Sequence, residues 1–160
     1  MLDAGAFYAG IPFLSSSRYC TTQAVLDEVK HIKRSYNAIG TLLDSGLLQV
    51  IDPDNNSIEK AAAAAKNTGD LQKLSRADIS VIALALHLGL ALVTDDYAVA
   101  NVSAMLQIPI RSTLGKGIKE NRKWINYCSA CGKMFGPNSK ECRICGNTLR
   151  RKYKVIKPKS

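Results

Sequence analysis

The chain has 160 residues, 46% of them hydrophobic, which is enough for one modest α/β domain plus a small module. Its formal net charge is +9, which suggests a polyanionic partner. No apolar run reaches the roughly 20 residues that span a bilayer, and "MLDAGAFYAG" lacks the basic region and long apolar stretch of a secretory signal, so a cytoplasmic location is the expectation.

In chain order, "YCTTQAVLDEVKHI" predicts a helix capped by Thr21 or Thr22, with Val25, Leu26, Val29 and Ile32 as its apolar stripe. "GLLQVID" (46–52) predicts a short strand ending before Pro53. "SIEKAAAAAK" favours helix through its alanine run, and "NTGD" breaks it. "LSRADISVIALALHLG" predicts a second long helix. Ser75 is its N-cap, Asp78 the partner in a capping box, and Gly89 its stop. "LALVT" is a continuous apolar run, as in a strand buried on both faces. "DYAVANVSAMLQ" then predicts a helix and "IPI" a strand. Strands alternating with helices point to a parallel α/β sheet. "RSTLGKGIKENRK", with Gly115 and Gly117, marks a boundary. The expected division is an acidic-site domain over 1–114, a link over 115–123, and a cysteine module with a basic tail over 124–160.

Several acids fall where core is expected. Asp78 opens its helix on the face shared with Val81, Ile82, Ala85 and Leu86. Asp95 and Asp96 follow the "LALVT" strand, where parallel sheets bind ligands. Alternation along a strand would turn only one of the two toward a site. Asp3 follows "ML", readable as the end of another strand. Asp3, Asp78 and one of Asp95 and Asp96 are therefore expected on one edge. Glu28 borders the Val25–Val29 stripe, while Asp27 faces solvent. Two carboxylates about 5 Å apart repel by roughly 3 kcal/mol at an effective dielectric of about 20. Such a cluster takes up protons or binds a cation. All-oxygen ligands suit Mg²⁺ or Mn²⁺, and such a site serves phosphodiester cleavage.

The charge is split along the chain. Residues 1–114 hold 9 Lys and Arg against 11 Asp and Glu, whereas residues 115–160 hold 13 against Glu120 and Glu141 alone. Within the basic part, Cys128-x2-Cys131 and Cys142-x2-Cys145 form the pattern of a closed structural zinc site. Lys133, Lys140, Arg143, Arg150, Arg151, Lys152 and Lys154 surround or follow these pairs, with Tyr127, Phe135 and Tyr153 interleaved. Phosphate contacts plus stacking suit RNA. Cys20 is read as a small buried residue, His31 and His87 as structural or surface residues, and Asp70 as a turn residue or a contact to metal or RNA.

"DAGAF", the Glu28 helix, "TGDLQKLSRADISVIAL", "DDYAVANV" and the four-cysteine ribbon occur here in the order that resembles the Nin-one-binding endonuclease family, in its compact archaeal form. These enzymes are PIN-domain nucleases. The resemblance implies a PIN-like domain, a parallel central sheet flanked by helices, followed by a small β-rich zinc ribbon. It implies a metal-dependent endoribonuclease that forms the mature 3′ end of small-subunit ribosomal RNA on the pre-small-subunit particle. The family's acids fall on Asp3, Glu28 and Asp78, and its Thr-x-Asp motif on Thr94 and Asp96. Asp3, Asp78 and Asp96 would hold Mg²⁺ or Mn²⁺, with Asp95 beside them and Glu28 completing the site or positioning water. Water activated there would attack phosphorus in line and leave 3′-hydroxyl and 5′-phosphate ends.

PIN domains begin with a full strand, whereas only Met1 and Leu2 precede Asp3. That leads to the expectation of a mostly missing central strand and a weakly held Asp3. Two alternatives remain at this level. One is a toxin-type PIN ribonuclease, which leaves the ribbon unexplained. The other is a non-catalytic RNA-binding assembly factor.

Overall fold

The structure is a computed structural model that describes residues 1–29, 36–113 and 121–156. His31, Ile32, Gly115, Gly117 and the last basic residues lie outside that set. Among the described residues, no helix is long and apolar enough to cross a membrane.

Two parallel strand pairs form the framework. β1 (Tyr19–Thr21) pairs with β2 (Leu48–Val50), and β3 (Leu92–Val93) pairs with β4 (Ile110–Arg111). Met1 and Leu2 join them. The Leu2 N–H donates to the Cys20 carbonyl at 2.9 Å, and the Val93 N–H donates to the Met1 carbonyl at 2.9 Å. Leu2 thus bridges to Val93 in parallel and fills the central slot of the sheet, fully buried. This agrees with the expectation of a mostly missing central strand: between β1 and β3 the sheet has a single bridging residue, Leu2, beside Met1.

Helices cover this sheet: α1 (Ala4–Tyr8), α2 (Gln23–Val29), α3 (Tyr36–Asp44), α4 (Asn55–Thr68), α5 (Arg76–Leu88) and α6 (Tyr97–Met105). α5 is the central one. Its Val81, Ile82, Ala83, Leu84 and Ala85 are all buried, because α2, α4 and α6 pack around it. α4 presents Ala61, Ala64 and Ala65 to the core, and these small side chains let the two helices approach closely. The predicted ends of α5 occur as read: Ser75 and Asp78 form the capping box, and Gly89 closes the helix at φ 64°. At the far end His87 Nδ1 meets Asp54, the N-cap of α4, on the surface. Cys20 sits half-buried in β1 against the core.

The C-terminal part is an antiparallel sheet in the order β6-β5-β7, with β5 Asn121–Cys128, β6 Met134–Phe135 and β7 Leu149–Ile156. β5 begins inside the polar stretch read as a link. The fold is therefore an α/β body with a small β-rich cysteine module, as the sequence led one to expect.

Candidate active site

Asp3 is the deepest acid, only 3% exposed. It ends the Met1–Leu2 segment and caps α1, accepting from the Ala6 N–H at 2.6 Å. The Thr94 hydroxyl also donates to it. The same Thr94 oxygen accepts the Asp96 N–H at 3.0 Å, so one buried hydroxyl links the two acids. Asp3 is firmly held, contrary to the sequence expectation. Burial is the main cause that lifts its pKa above the ordinary value; Thr94 and Ala6 oppose this, and Asp78 and Asp96 add to it.

Asp78 combines two tasks. Its Oδ2 accepts from the Ser75 N–H at 2.7 Å, completing the capping box, while its carboxylate also lines the acidic cavity. Glu28 reaches the same cavity from α2. Thr22, at the start of α2, bonds Ser80 of α5 at 2.7 Å, which ties the Glu28 helix to the Asp78 helix. Burial raises the Glu28 pKa, with Asp78 and then Asp3 adding to it.

The Asp95/Asp96 pair departs from the alternation argument: both line the cavity. The β3 strand ends at Val93, so these residues lie in the turn that enters α6, where strand alternation no longer applies. Asp96 caps α6 through the Ala98 and Val99 N–H groups at 2.6 and 3.2 Å. Asp95 is taken up by Ser112 Oγ at 2.5 Å and by the Thr113 N–H at 3.2 Å. Asp3, Glu28, Asp78, Asp95 and Asp96 thus share one cavity of about 490 Å³, together with Gly5 and Tyr8. Gly5 leaves Asp3 open: a Cβ there would stand 3.3 Å from Asp3 Oδ1. Among the described residues, no Lys or Arg lines this cavity. The donor set is all oxygen and anionic, which fits a hard divalent cation.

The second centre is the cysteine cluster. Cys128, Cys131, Cys142 and Cys145 bring their sulfurs within 4.8 Å of one another. Two of the separations are 3.4 Å (Cys128–Cys145) and 3.5 Å (Cys131–Cys142). A tetrahedral zinc with bonds of about 2.3 Å needs sulfurs roughly 3.8 Å apart, so the geometry fits such an ion. Each pair sits on a tight turn closed by a left-handed glycine, Gly132 at φ 70° and Gly146 at φ 69°. The Cys131 N–H donates to Cys128 Sγ and is the main cause that lowers the Cys128 thiol to about 6. At Cys145 the Asn147 N–H pulls downward, but the Cys128 and Cys142 thiols outweigh it and the group rises to about 12. Binding of a cation to four thiols this close would release their protons.

A family model described as the PIN domain of ribonuclease matches residues 1–88. Endoribonuclease Nob1 of Methanocaldococcus jannaschii is 36% identical over 155 residues, covering 95% of this chain and 76% of that protein. Endoribonuclease Nob1 of Pyrococcus abyssi is 36% identical over 152 residues, covering 94% and 91%. The chain belongs to the Nob1 endoribonuclease family. It is an endoribonuclease built on a PIN domain. Ribonuclease VapC1 of Thermoplasma acidophilum is also similar, 36% identical over 130 residues, covering 81% of this chain and 66% of that one.

Against this Nob1-type frame the basic residues sort by strand register. Tyr127 pairs with Arg150 and Ile125 with Lys152, and Lys154 follows on the same face. Lys152 Nζ lies 4.6 Å from the Tyr127 ring. Lys133, Lys140 and Arg143 are exposed around the knuckles. Arg151 alternates to the other face with Trp124 and Tyr153, and there it turns toward the body. Asp70 is buried away from the acidic cavity and accepts from Asn101 Nδ2 at 2.7 Å. The parts played by Gly5, Ser112 and Thr113 were not legible in the sequence. They depend on chain turns that bring residues 5 and 113 to the same rim as residues 78 and 96, and no local pattern signals that.

Proposed function

We propose that this endoribonuclease cleaves precursor small-subunit ribosomal RNA to form its mature 3′ end, acting on the pre-small-subunit particle in the cytoplasm. The observation that carries the reading is one acidic cavity and one exposed basic sheet face on a single chain of the Nob1 family. The work is divided between an acidic domain over 1–114 that cuts and a ribbon over 124–160 that grips RNA, with 115–123 joining them. Asp3, Asp78 and Asp96 hold Mg²⁺ or Mn²⁺, and the four cysteines hold one structural zinc. When bound, the divalent cation supplies a nucleophile at neutral pH and offsets charge on the phosphoryl oxygens.

This chain's own groups do the rest. Thr94 keeps Asp3 and Asp96 in fixed relation. Asp95, held by Ser112 and Thr113, keeps the β3–α6 turn rigid beside them. Glu28, an exposed wall of the site, orients the attacking water. Lys133, Lys140, Arg143, Arg150, Lys152 and Lys154 form the basic surface offered to RNA, while Arg151, also expected there from the sequence, faces the body. The VapC1 likeness favours a toxin-type ribonuclease as the second reading, since it spans most of the body.

The deciding experiment uses an RNA spanning the mature small-subunit 3′ end, with transfer and messenger RNA as competitors and Mn²⁺ present. The expected result is one cut at the junction, leaving 3′-hydroxyl and 5′-phosphate ends, which is absent in Asp78→Asn although RNA binding is kept. Preferential cutting of the competitors would favour the toxin-type reading instead.

A further inference from the structure

One buried acid plays no part in the site described above. Asp70 is 1% exposed, and its Oδ1 has no hydrogen-bond partner among the described residues. It stands where the ribbon meets the body. Just before it, Gly69 ends α4 at φ 80°, and a Cβ there would be 2.5 Å from Pro137 Cβ and 3.1 Å from Trp124 Cβ. Position 69 therefore needs glycine twice, for its backbone conformation and for the closeness of the ribbon. Arg151 Nη2 donates to the Gly69 carbonyl at 2.5 Å and lies 3.8 Å from Asp70 Oδ1. Its guanidinium also lies over the Trp124 ring at 4.3 Å, and Lys73 of the body lies 4.6 Å from the same ring. Tyr153 meets Trp124 edge-on at 5.6 Å. Asn126 holds the Pro137 loop in place through the Pro137 and Ser139 carbonyls.

An ion pair at 3.8 Å with Asp70 buried and Arg151 37% exposed adds little net stability, whereas the close Gly69–Pro137 and Gly69–Trp124 approach is sensitive to small shifts. The seam is therefore better suited to fixing register than to providing cohesion. Register matters for this reaction. Phosphate contacts on the ribbon carry no sequence information of their own. Among the described residues, the acidic cavity has no Lys or Arg with which to grip the strand. Which phosphodiester reaches the acids is then decided by the offset between the ribbon's grip and the cavity. We propose that Asp70 and Gly69 are positioning residues: by docking Arg151, Trp124 and Pro137, they fix that offset and so select the phosphate that is cut. The proposal rests on the reading of the ribbon as the RNA grip.

The test uses the full chain and one end-labelled single-stranded RNA that the wild type cleaves, with every product mapped to the nucleotide. Asp70→Asn keeps the shape and an acceptor for the Asn101 amide but removes the charge facing Arg151. Gly69→Ala is the second variant and disturbs the seam sterically. Trp124, the chain's one tryptophan, reports docking through its emission and its quenching by acrylamide. Cobalt substituted for zinc reports ribbon integrity through its thiolate bands.

In both variants, cleavage at the wild-type phosphate should fall about 100-fold, as misplacement of about 1 Å implies, with the lost product appearing at flanking phosphates. Trp124 emission should shift red while the cobalt bands stay. Undocking of Trp124 with the cut unmoved would overturn the proposal, and so would a uniform loss of cleavage at every position. A Lys152→Gln/Lys154→Gln arm separates the two claims. If its RNA affinity equals that of the wild type, the ribbon-grip reading fails and the positioning role falls with it. If affinity drops there but Asp70→Asn still cuts at one phosphate, only the positioning role fails.

Discussion

Asp78→Asn separates what Asp78 does for the fold from what it does for the chemistry. The carboxylate accepts from the Ser75 N–H at 2.7 Å, and an asparagine oxygen can take over that bond. Loss of a whole cap costs about 1 kcal/mol, so the variant should lose no more than about half of that. For a body of about 110 residues, an unfolding entropy near 2.1 cal/mol/K per residue converts this to a Tm change of about 2 °C. Relief of repulsion on Asp3 and Glu28 acts in the opposite direction.

The metal response should behave differently. With Mg²⁺ at about ten times its dissociation constant, binding stabilises the wild type by about 1.4 kcal/mol, or about 6 °C. The variant should lose most of that shift and more than about 100-fold in cleavage. pH gives a further check. Burial, with neighbouring carboxylates adding to it, holds Asp3 and Glu28 above their ordinary pKa values. The folded state therefore binds these protons more tightly than the unfolded chain. That stability is complete below the unfolded pKa values and is lost as pH rises through the raised folded ones. Divalent metal should reverse the trend in the wild type, and in Asp78→Asn the metal-free dependence should be flatter. The assay is thermal unfolding with and without Mg²⁺ across the carboxylate range, beside cleavage with Mn²⁺. A metal-free Tm lowered by more than about 5 °C, or cleavage near the wild-type rate, would refute the separation.

Three further outcomes are expected. Leu2→Ala should cost about 2–5 kcal/mol in denaturant unfolding, because Leu2 is fully buried between β1 and β3, and cleavage should fall with it since Asp3 is the next residue; a loss below about 1 kcal/mol would show that the central slot contributes little. Zinc chelation or Cys131→Ser should abolish the thiolate–metal absorption and expose Trp124 while the helical circular dichroism of the body persists; a ribbon that keeps Trp124 docked after chelation would remove the case for a structural metal. Lys152→Gln and Lys154→Gln should each reduce the slope of log affinity against log salt by about 0.7 on single-stranded RNA. An unchanged slope would take the β7 face out of the RNA contact.

The segment from Ser75 to Asp96 was legible because its signals are local. A capping box, a left-handed glycine and a buried apolar run each act within a few residues, and α5, β3 and the entry to α6 form where they point. The two C-x-x-C pairs are equally local, since each turn is closed by its own glycine. What escaped was structure imposed from a distance. β1 is three residues in a polar stretch, a strand only because Leu2 lies on one side of it and β2 on the other. α1 has five residues, among them Gly5, and it exists because Asp3 caps it and Ala6 and Phe7 find the core. The alternation rule misjudged Asp95 for the same reason: β3 ends once its partners end, so the acids fall in a turn and not on the strand.

Asp3 shows how far such non-local support reaches. Judged by the two residues before it, it should be loose. In the fold, a strand bridge, a helix N-terminus and the buried Thr94 hydroxyl hold it, and these come from parts of the sequence about ninety residues apart. The cavity is therefore assembled from five separate places in the chain: the Asp3–Ala9 segment, the far end of α2, the start of α5, the turn into α6 and Thr113. Its acids can be named from sequence, but their convergence is a property of the sheet.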